Sequence, residues 1–127
     1  MRRVFVCGSL RKGESNHHRF PGFGDRLVAT GTIAGVVLKN LGDYPALFPT
    51  GRSGDRVVGE VYEISDELGQ AIDQWEAGDG YAPQPVRVTS ITGEVEAEAY
   101  FYGDPDSITH HPIVDGGDWA RHPDHPR

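Results

Sequence analysis

The chain has a single cysteine, Cys7, among its 127 residues, so no internal disulfide can form and packing must hold the fold. Long apolar runs are missing as well. No stretch approaches the roughly 20 residues that a membrane-spanning helix requires. After Met1-Arg2-Arg3, the apolar residues 4–10 break at Arg11-Lys12-Gly13, too short a run for the core of a secretion signal. A cytoplasmic location is expected. Positive charge is scarce: 12 Lys and Arg stand against 19 Asp and Glu, a formal net charge of −7. Nucleic-acid binding needs a basic face to neutralise phosphates, and anionic membranes attract the same kind of face, so neither partner is expected. Apolar residues are sparse at 37%, whereas Gly (17) and Pro (9) are plentiful, which favours a turn-rich fold over a helical bundle. No internal repeat is present. The length suits one domain, expected over residues 1–120, with a flexible tail at 121–127.

Val4-Phe5-Val6-Cys7 is an apolar run stopped by Gly8, the pattern of a buried strand entering a loop. A short helical turn is expected at 16–20. Residues 27–39 read as strands with a bend or bulge at Gly31 and Gly35. Tyr44-Pro45-Ala46-Leu47-Phe48-Pro49 reads as an edge or loop lining the core, and Arg56–Ile64 as another strand. Ser65 offers a helix N-cap, with Asp66 and Glu67 at the positive end of the dipole. Leu68, Ala71, Ile72 and Trp75 follow at helical spacing, and Gly78 and Gly80 stop the helix. Residues 85–91 and 94–102 flank Thr92-Gly93 as a hairpin, and Val95, Ala97, Ala99 and Phe101 alternate with polar neighbours. The polar segment from Gly103 is expected to wrap the surface. Together these elements give an α+β fold: a small mixed, mostly antiparallel β-barrel with one or two helices.

Gly8-Ser9-Leu10-Arg11-Lys12-Gly13-Glu14-Ser15 nearly spells a phosphate-binding P-loop, but Glu14 stands where the lysine belongs. That inversion of charge excludes a nucleotide triphosphate. The same loop has two other readings: an ordinary turn, or a nest of free N–H groups that receives an oxyanion or carboxylate. Glu76 falls at the rim of the helix's apolar face beside Ile72 and Trp75. There it is either a solvated carboxylate or one whose partial desolvation raises its pKa into the range of a general base. The paired histidines (His17-His18, His110-His111, His122 with His125) match no metal-ligand spacing, so no metal site is expected. Cys7, ending an apolar strand, reads as a small buried hydrophobe before a nucleophile.

Taken in order, these segments resemble the gamma-glutamylcyclotransferase-like family. Val4 to Gly13 followed by Asn16-His17 resembles the family's opening, Tyr-Gly-Ser/Thr-Leu, a basic stretch and Asn-His. Tyr44-Pro45-Ala46, Val58-Gly59-Glu60-Val61-Tyr62, Ile72-Asp73-Gln74-Trp75-Glu76 with Tyr81, and Ala99-Tyr100-Phe101-Tyr102 are similar to later landmarks. Gly117-Asp118-Trp119 resembles the close of the gamma-glutamylamine cyclotransferase branch. Cys7 departs from the family tyrosine. The resemblance implies a small mixed β-barrel and an enzyme that needs no cofactor. Its reaction converts a gamma-glutamyl amide to 5-oxoproline and a free amine by intramolecular aminolysis. It makes Glu76 the proton carrier and the amides of Gly8, Ser9 and Leu10 the oxyanion donors. Cys7, Tyr44, Tyr81 and Tyr100 are candidates for the pocket wall, and Arg11 or backbone amides for the substrate's α-carboxylate. The alternative carried beside it is a non-catalytic binding module of the same fold.

Overall fold

Alternating and continuous apolar segments fold into seven strands and one helix in the computed structural model, which describes residues 1–42 and 44–121. The strands are β1 (Arg2–Val6), β2 (Leu27–Ala34), β3 (Val36–Asn40), β4 (Pro45–Pro49), β5 (Arg56–Ile64), β6 (Tyr81–Ser90) and β7 (Gly93–Tyr102), with helix α1 at Asp66–Ala77. The sheet order is β1-β5-β2-β6-β7-β4-β3, and β1 also pairs with β7. Five strands therefore close into a ring, and β4 and β3 extend the sheet beyond it. All pairings are antiparallel except β1 with β7 and β4 with β7. The α+β architecture with one helix is the expected class. Of the tail expected at 121–127, Arg121 closes a short 3-10 turn begun by Trp119, and the rest, with His122 and His125, lies outside the described residues.

The ring is filled by Phe5, Leu38, Val57, Val61, Val88 and Ala99, all nearly inaccessible to solvent. A second apolar cluster (Val4, Val6, Tyr62, Ile72 and Tyr100 among others) joins the helix to the strands. Ser65 caps the helix as expected: its side chain accepts the Leu68 amide at 3.1 Å. The buried face is centred on Gly69 and Ile72, whereas Ala71 is exposed. That rotation carries Glu76 from the rim into the covered side of the helix, since it lies only about 40° from Ile72 on the wheel. Gly69 lets the Arg2 guanidinium lie directly against the helix backbone; a Cβ there would meet Arg2 Nη1 at 2.4 Å. Arg2 then holds Asp73 with two hydrogen bonds of 2.9 Å and Glu98 with one of 2.8 Å, tying the helix to β1 and β7.

Several local expectations change. The chain bends at Gly35 (φ +78°), but Gly31 sits in regular pairing. Its missing side chain admits the Thr89 carbonyl, which a Cβ would meet at 2.3 Å. The irregularity in β2 falls instead between Leu27 and Ala29. Residues 16–20 form linked turns rather than a helix. β6 starts at Tyr81, earlier than expected, despite Pro83 and Pro85. Pairing with β7 is continuous, whereas β2 reaches only Thr89 and Ser90, so both prolines lack their N–H on the unpaired side. The segment after Gly103 does cover the surface, but it also drives Ile108, Val114 and Trp119 into the interior.

Candidate active site

Topology brings the candidate residues together. β1 runs parallel to β7, so its exit at Cys7 lies at the end of β7 that carries Tyr100. β6 runs antiparallel to β7 with Tyr81 opposite Tyr102, so β6 begins at that same end. The helix leads directly into β6, which places its last turn there too. The start of β4 is brought to this end by its parallel pairing, Leu47 beside Phe101. The result is a cavity of about 290 Å³ whose wall includes Cys7, Gly8, Ser9, Leu10, Tyr44, Glu76 and Tyr81. Eight of the nine site residues expected from the sequence, Tyr100 among them, thus share one hollow.

The ninth, Arg11, is not among the lining residues. Its guanidinium donates to Glu60 at 2.9 Å and to Asp118 at 2.8 Å, with only 12% of the side chain exposed. The physical reason is local: the Gly8–Arg11 turn, closed by the Arg11 amide on the Gly8 carbonyl, turns the side chain toward β5. Glu60 accepts from the Lys12 amide and the Tyr62 hydroxyl as well, both at 2.9 Å.

The same anchoring explains the loop's free donors. Asn16 reaches back to Ser9 twice, amide to carbonyl and Nδ2 to Oγ, each at 2.9 Å. His17 is buried and donates Nδ1–H to the Leu10 carbonyl at 2.8 Å, which fixes its tautomer. The carbonyls are thereby occupied, while the amides of Gly8, Ser9 and Leu10 donate to no acceptor among the described residues. Gly8 is not required for a left-handed turn, because its φ is not positive. Space there is tight: a Cβ would meet the Pro45 ring at 3.3 Å, and the ring would have to give slightly.

Glu76 faces this loop across the cavity. Burial raises its pKa to about 7, assisted by the negative charge of Asp79 at the mouth. Asp73, one turn earlier, behaves oppositely: its hydrogen bonds from Arg2 hold its pKa below the usual carboxylate value. It also accepts from the Tyr100 hydroxyl at 2.6 Å. Two carboxylates three residues apart are thus driven in opposite directions, one to stay charged as an anchor and one to exchange a proton near neutrality. Burial pushes the Cys7 thiol up to about 12, which favours the protonated thiol over the thiolate that a nucleophile needs. The anchoring by Asp73, Glu60, Asn16 and His17 was missed in the sequence, although Asp73 and the Asn16-His17 pair stand inside the motifs already noted.

A second, wider hollow of about 540 Å³ lies along the unpaired side of β6. Arg87 and Glu94 in its wall pair with each other at 3.3 Å. Among the described residues, no group of three His, Cys, Asp or Glu side chains is arranged to hold a metal ion, and no helix is long and apolar enough to cross a membrane.

The family model described as gamma-glutamyl cyclotransferase, AIG2-like, matches residues 4–121. The chain belongs to this family. Among curated proteins it is 36% identical to the gamma-L-glutamyl-butirosin B gamma-glutamyl cyclotransferase of Niallia circulans over 76 residues, 60% of this chain and 46% of that one. It is 28% identical to gamma-glutamylaminecyclotransferase A of Danio rerio over 105 residues, 77% of this chain and 65% of the other. The matched part is thus about half of the first relative and somewhat under two thirds of the second. The fold matches the crystal structure of an AIG2-like protein of Mus musculus with a TM-score of 0.77 at 20% identity, covering 100% of this chain and 97% of that one. In the terms of this AIG2-like family, the cavity joins three of the noted motifs: the Gly8-Ser9-Leu10 loop, the Tyr44-Pro45-Ala46 segment, and Trp75-Glu76 at the end of the helix with Tyr81.

Proposed function

We propose that this chain converts a gamma-glutamyl amide to 5-oxoproline and a free amine by intramolecular aminolysis. The observation that carries the reading is a carboxyl group with its pKa raised to about 7, sharing a 290 Å³ cavity with unengaged backbone amides.

The substrate holds both nucleophile and electrophile, so the protein's work is to select the folded rotamer and manage charge. The α-ammonium gives a proton to Glu76, and the freed lone pair attacks the γ-carbonyl carbon. Negative charge collects on the carbonyl oxygen, where the amides of Gly8, Ser9 and Leu10 receive it without reorganising. The carbon–nitrogen bond to the leaving amine then breaks. Two protons leave the α-nitrogen between ammonium and lactam N–H, and both end on the departing amine, relayed by Glu76. A carboxyl group titrating near pH 7 can accept and return a proton at neutral pH with little driving force lost in either direction.

A panel of gamma-glutamyl amines assayed for 5-oxoproline tests this reading. Turnover of at least one member is expected, and binding without turnover across the panel would favour the non-catalytic module. The pH dependence supplies a second check. Glu76 must be ionised to accept the first proton, so kcat/KM falls tenfold per pH unit on the acid side. The midpoint of that limb is expected near pH 7. A midpoint near 4.5, the ordinary glutamate value, overturns the assignment of Glu76 as base.

A further inference from the structure

The reaction outlined above leaves the Tyr81 hydroxyl without a task. Tyr81 is 8% exposed and lines the cavity. Its Oη is buried and has no hydrogen-bond partner among the described residues. A desolvated hydroxyl with nothing to bond is unfavourable in the folded protein, and a ligand atom that accepts from it removes that cost. The ring is held firmly. It sits where β6 opens opposite Tyr102, and the two rings meet edge to face with centroids 5.4 Å apart. The hydroxyl is therefore a preplaced donor.

The cavity's other polar groups narrow what it receives. Tyr100 is committed to Asp73 and one hydrogen of the Asn16 side-chain amide to Ser9, while Ser15 and Tyr44 are exposed to solvent rather than buried. Among the described residues no Lys, Arg or His lines the wall, whereas Glu76 and Asp79 both do. Any gamma-glutamyl compound brings a third carboxylate into this space, on its α-carbon. Arg11 cannot neutralise it, being engaged by Glu60 and Asp118. The amides of Gly8–Leu10 are used by the γ-carbonyl oxygen. The α-carboxylate must then be met by a neutral donor from the other side.

We propose that Tyr81 Oη donates its hydrogen to the α-carboxylate of the gamma-glutamyl group, making Tyr81 a positioning and specificity residue; this rests on the reaction proposed above. Carboxylate and amino group are borne by the same carbon. Fixing the first therefore turns the second toward Glu76. Burial and the neighbouring Tyr44, Glu76 and Asp79 raise the Tyr81 pKa, so the phenol keeps its proton and serves as donor rather than base.

The test compares Tyr81→Phe with wild type on two ligand pairs. The first is 5-oxoproline against 2-pyrrolidinone, the same lactam without the carboxylate, by calorimetry. The second is a gamma-glutamyl amide against the corresponding 4-aminobutanoyl amide, by turnover. Tyr81→Phe is expected to weaken 5-oxoproline binding and raise KM for the gamma-glutamyl amide about 10- to 100-fold, the range for a hydrogen bond to a charged group. The partners lacking the carboxylate change less than about twofold, within the noise of a lost neutral contact. Equal losses on both members of a pair, or no loss on either, overturn the proposal. So does a wild-type protein that binds the two lactams alike. Thermal unfolding of the unliganded variant should match or exceed wild type, because only an unpartnered hydroxyl is removed. A lower midpoint would reveal a structural role and overturn it as well. If wild type turns over no gamma-glutamyl amide, the reaction fails, while the lactam comparison still decides the role of Tyr81.

Discussion

Glu76→Gln is expected to cut 5-oxoproline formation about a thousandfold or more and, in the same protein, to raise thermal stability above pH 7. The first effect follows from the proton relay. Gln is close in shape but neither accepts nor returns a proton, and general acid–base groups contribute about 10²–10⁴-fold. The second follows from linkage. In the unfolded chain the carboxyl ionises near its ordinary value of 4.5, and in the folded chain near 7. Below pH 4.5 both states are neutral and the fold bears no penalty. Between 4.5 and 7 the unfolded state ionises first, so stability falls as pH rises, and above 7 the full cost is present. Removing the charge therefore stabilises the variant by on the order of 3 kcal/mol at pH 8 and by almost nothing at pH 4. Turnover assays and thermal melts at the two pH values measure both arms. Near-normal turnover would remove Glu76 from the chemistry, and a lower melting point at pH 8 would contradict its desolvation.

Arg11→Met is expected to destabilise the fold by about 3–5 kcal/mol, the usual result of breaking a buried ion pair from one side. Its two partners are themselves covered, Glu60 with 11% and Asp118 with 19% of the side chain exposed. Without the guanidinium, Glu60 keeps the Lys12 amide and the Tyr62 hydroxyl as its donors among the described residues. The loss is a large fraction of the 5–15 kcal/mol that a domain of this size has in total. Urea unfolding followed by tryptophan fluorescence gives the midpoint, with Trp119 as a buried reporter. Had Arg11 been a substrate ligand, the same change would spare the midpoint and raise KM. The experiment therefore separates the role expected from the sequence from the one the ion pairs assign.

Local features were legible in the sequence wherever the signal is short-ranged. β5 has the bounds its apolar pattern predicts, and the helix begins at the cap that Ser65 supplies. The Gly8–Leu10 loop and Glu76 were found because a loop after a buried strand and a carboxylate on an apolar helix face are both anomalies in a local window. What escaped notice depends on distant partners. Nothing near Arg2 announces Asp73, 71 residues away, or Glu98, 96 residues away. Arg11 looked free for a ligand because Glu60 and Asp118 are remote in the chain. Ala71 was placed on the covered face because a wheel drawn from Leu68 could not know that the centre lies at Ile72, where β1 and β6 press on the helix.

The paired prolines of β6 have a bearing on how these molecules behave when crowded. With Pro83 and Pro85 two residues apart, the outer margin of this strand offers carbonyls there and no amide hydrogens. An incoming chain finds only half of a ladder to copy, so growth of the sheet from one molecule into the next is blocked at its first rungs. The ring is shut on itself, and where it parts from β2 it carries its own safeguard against fibrous association.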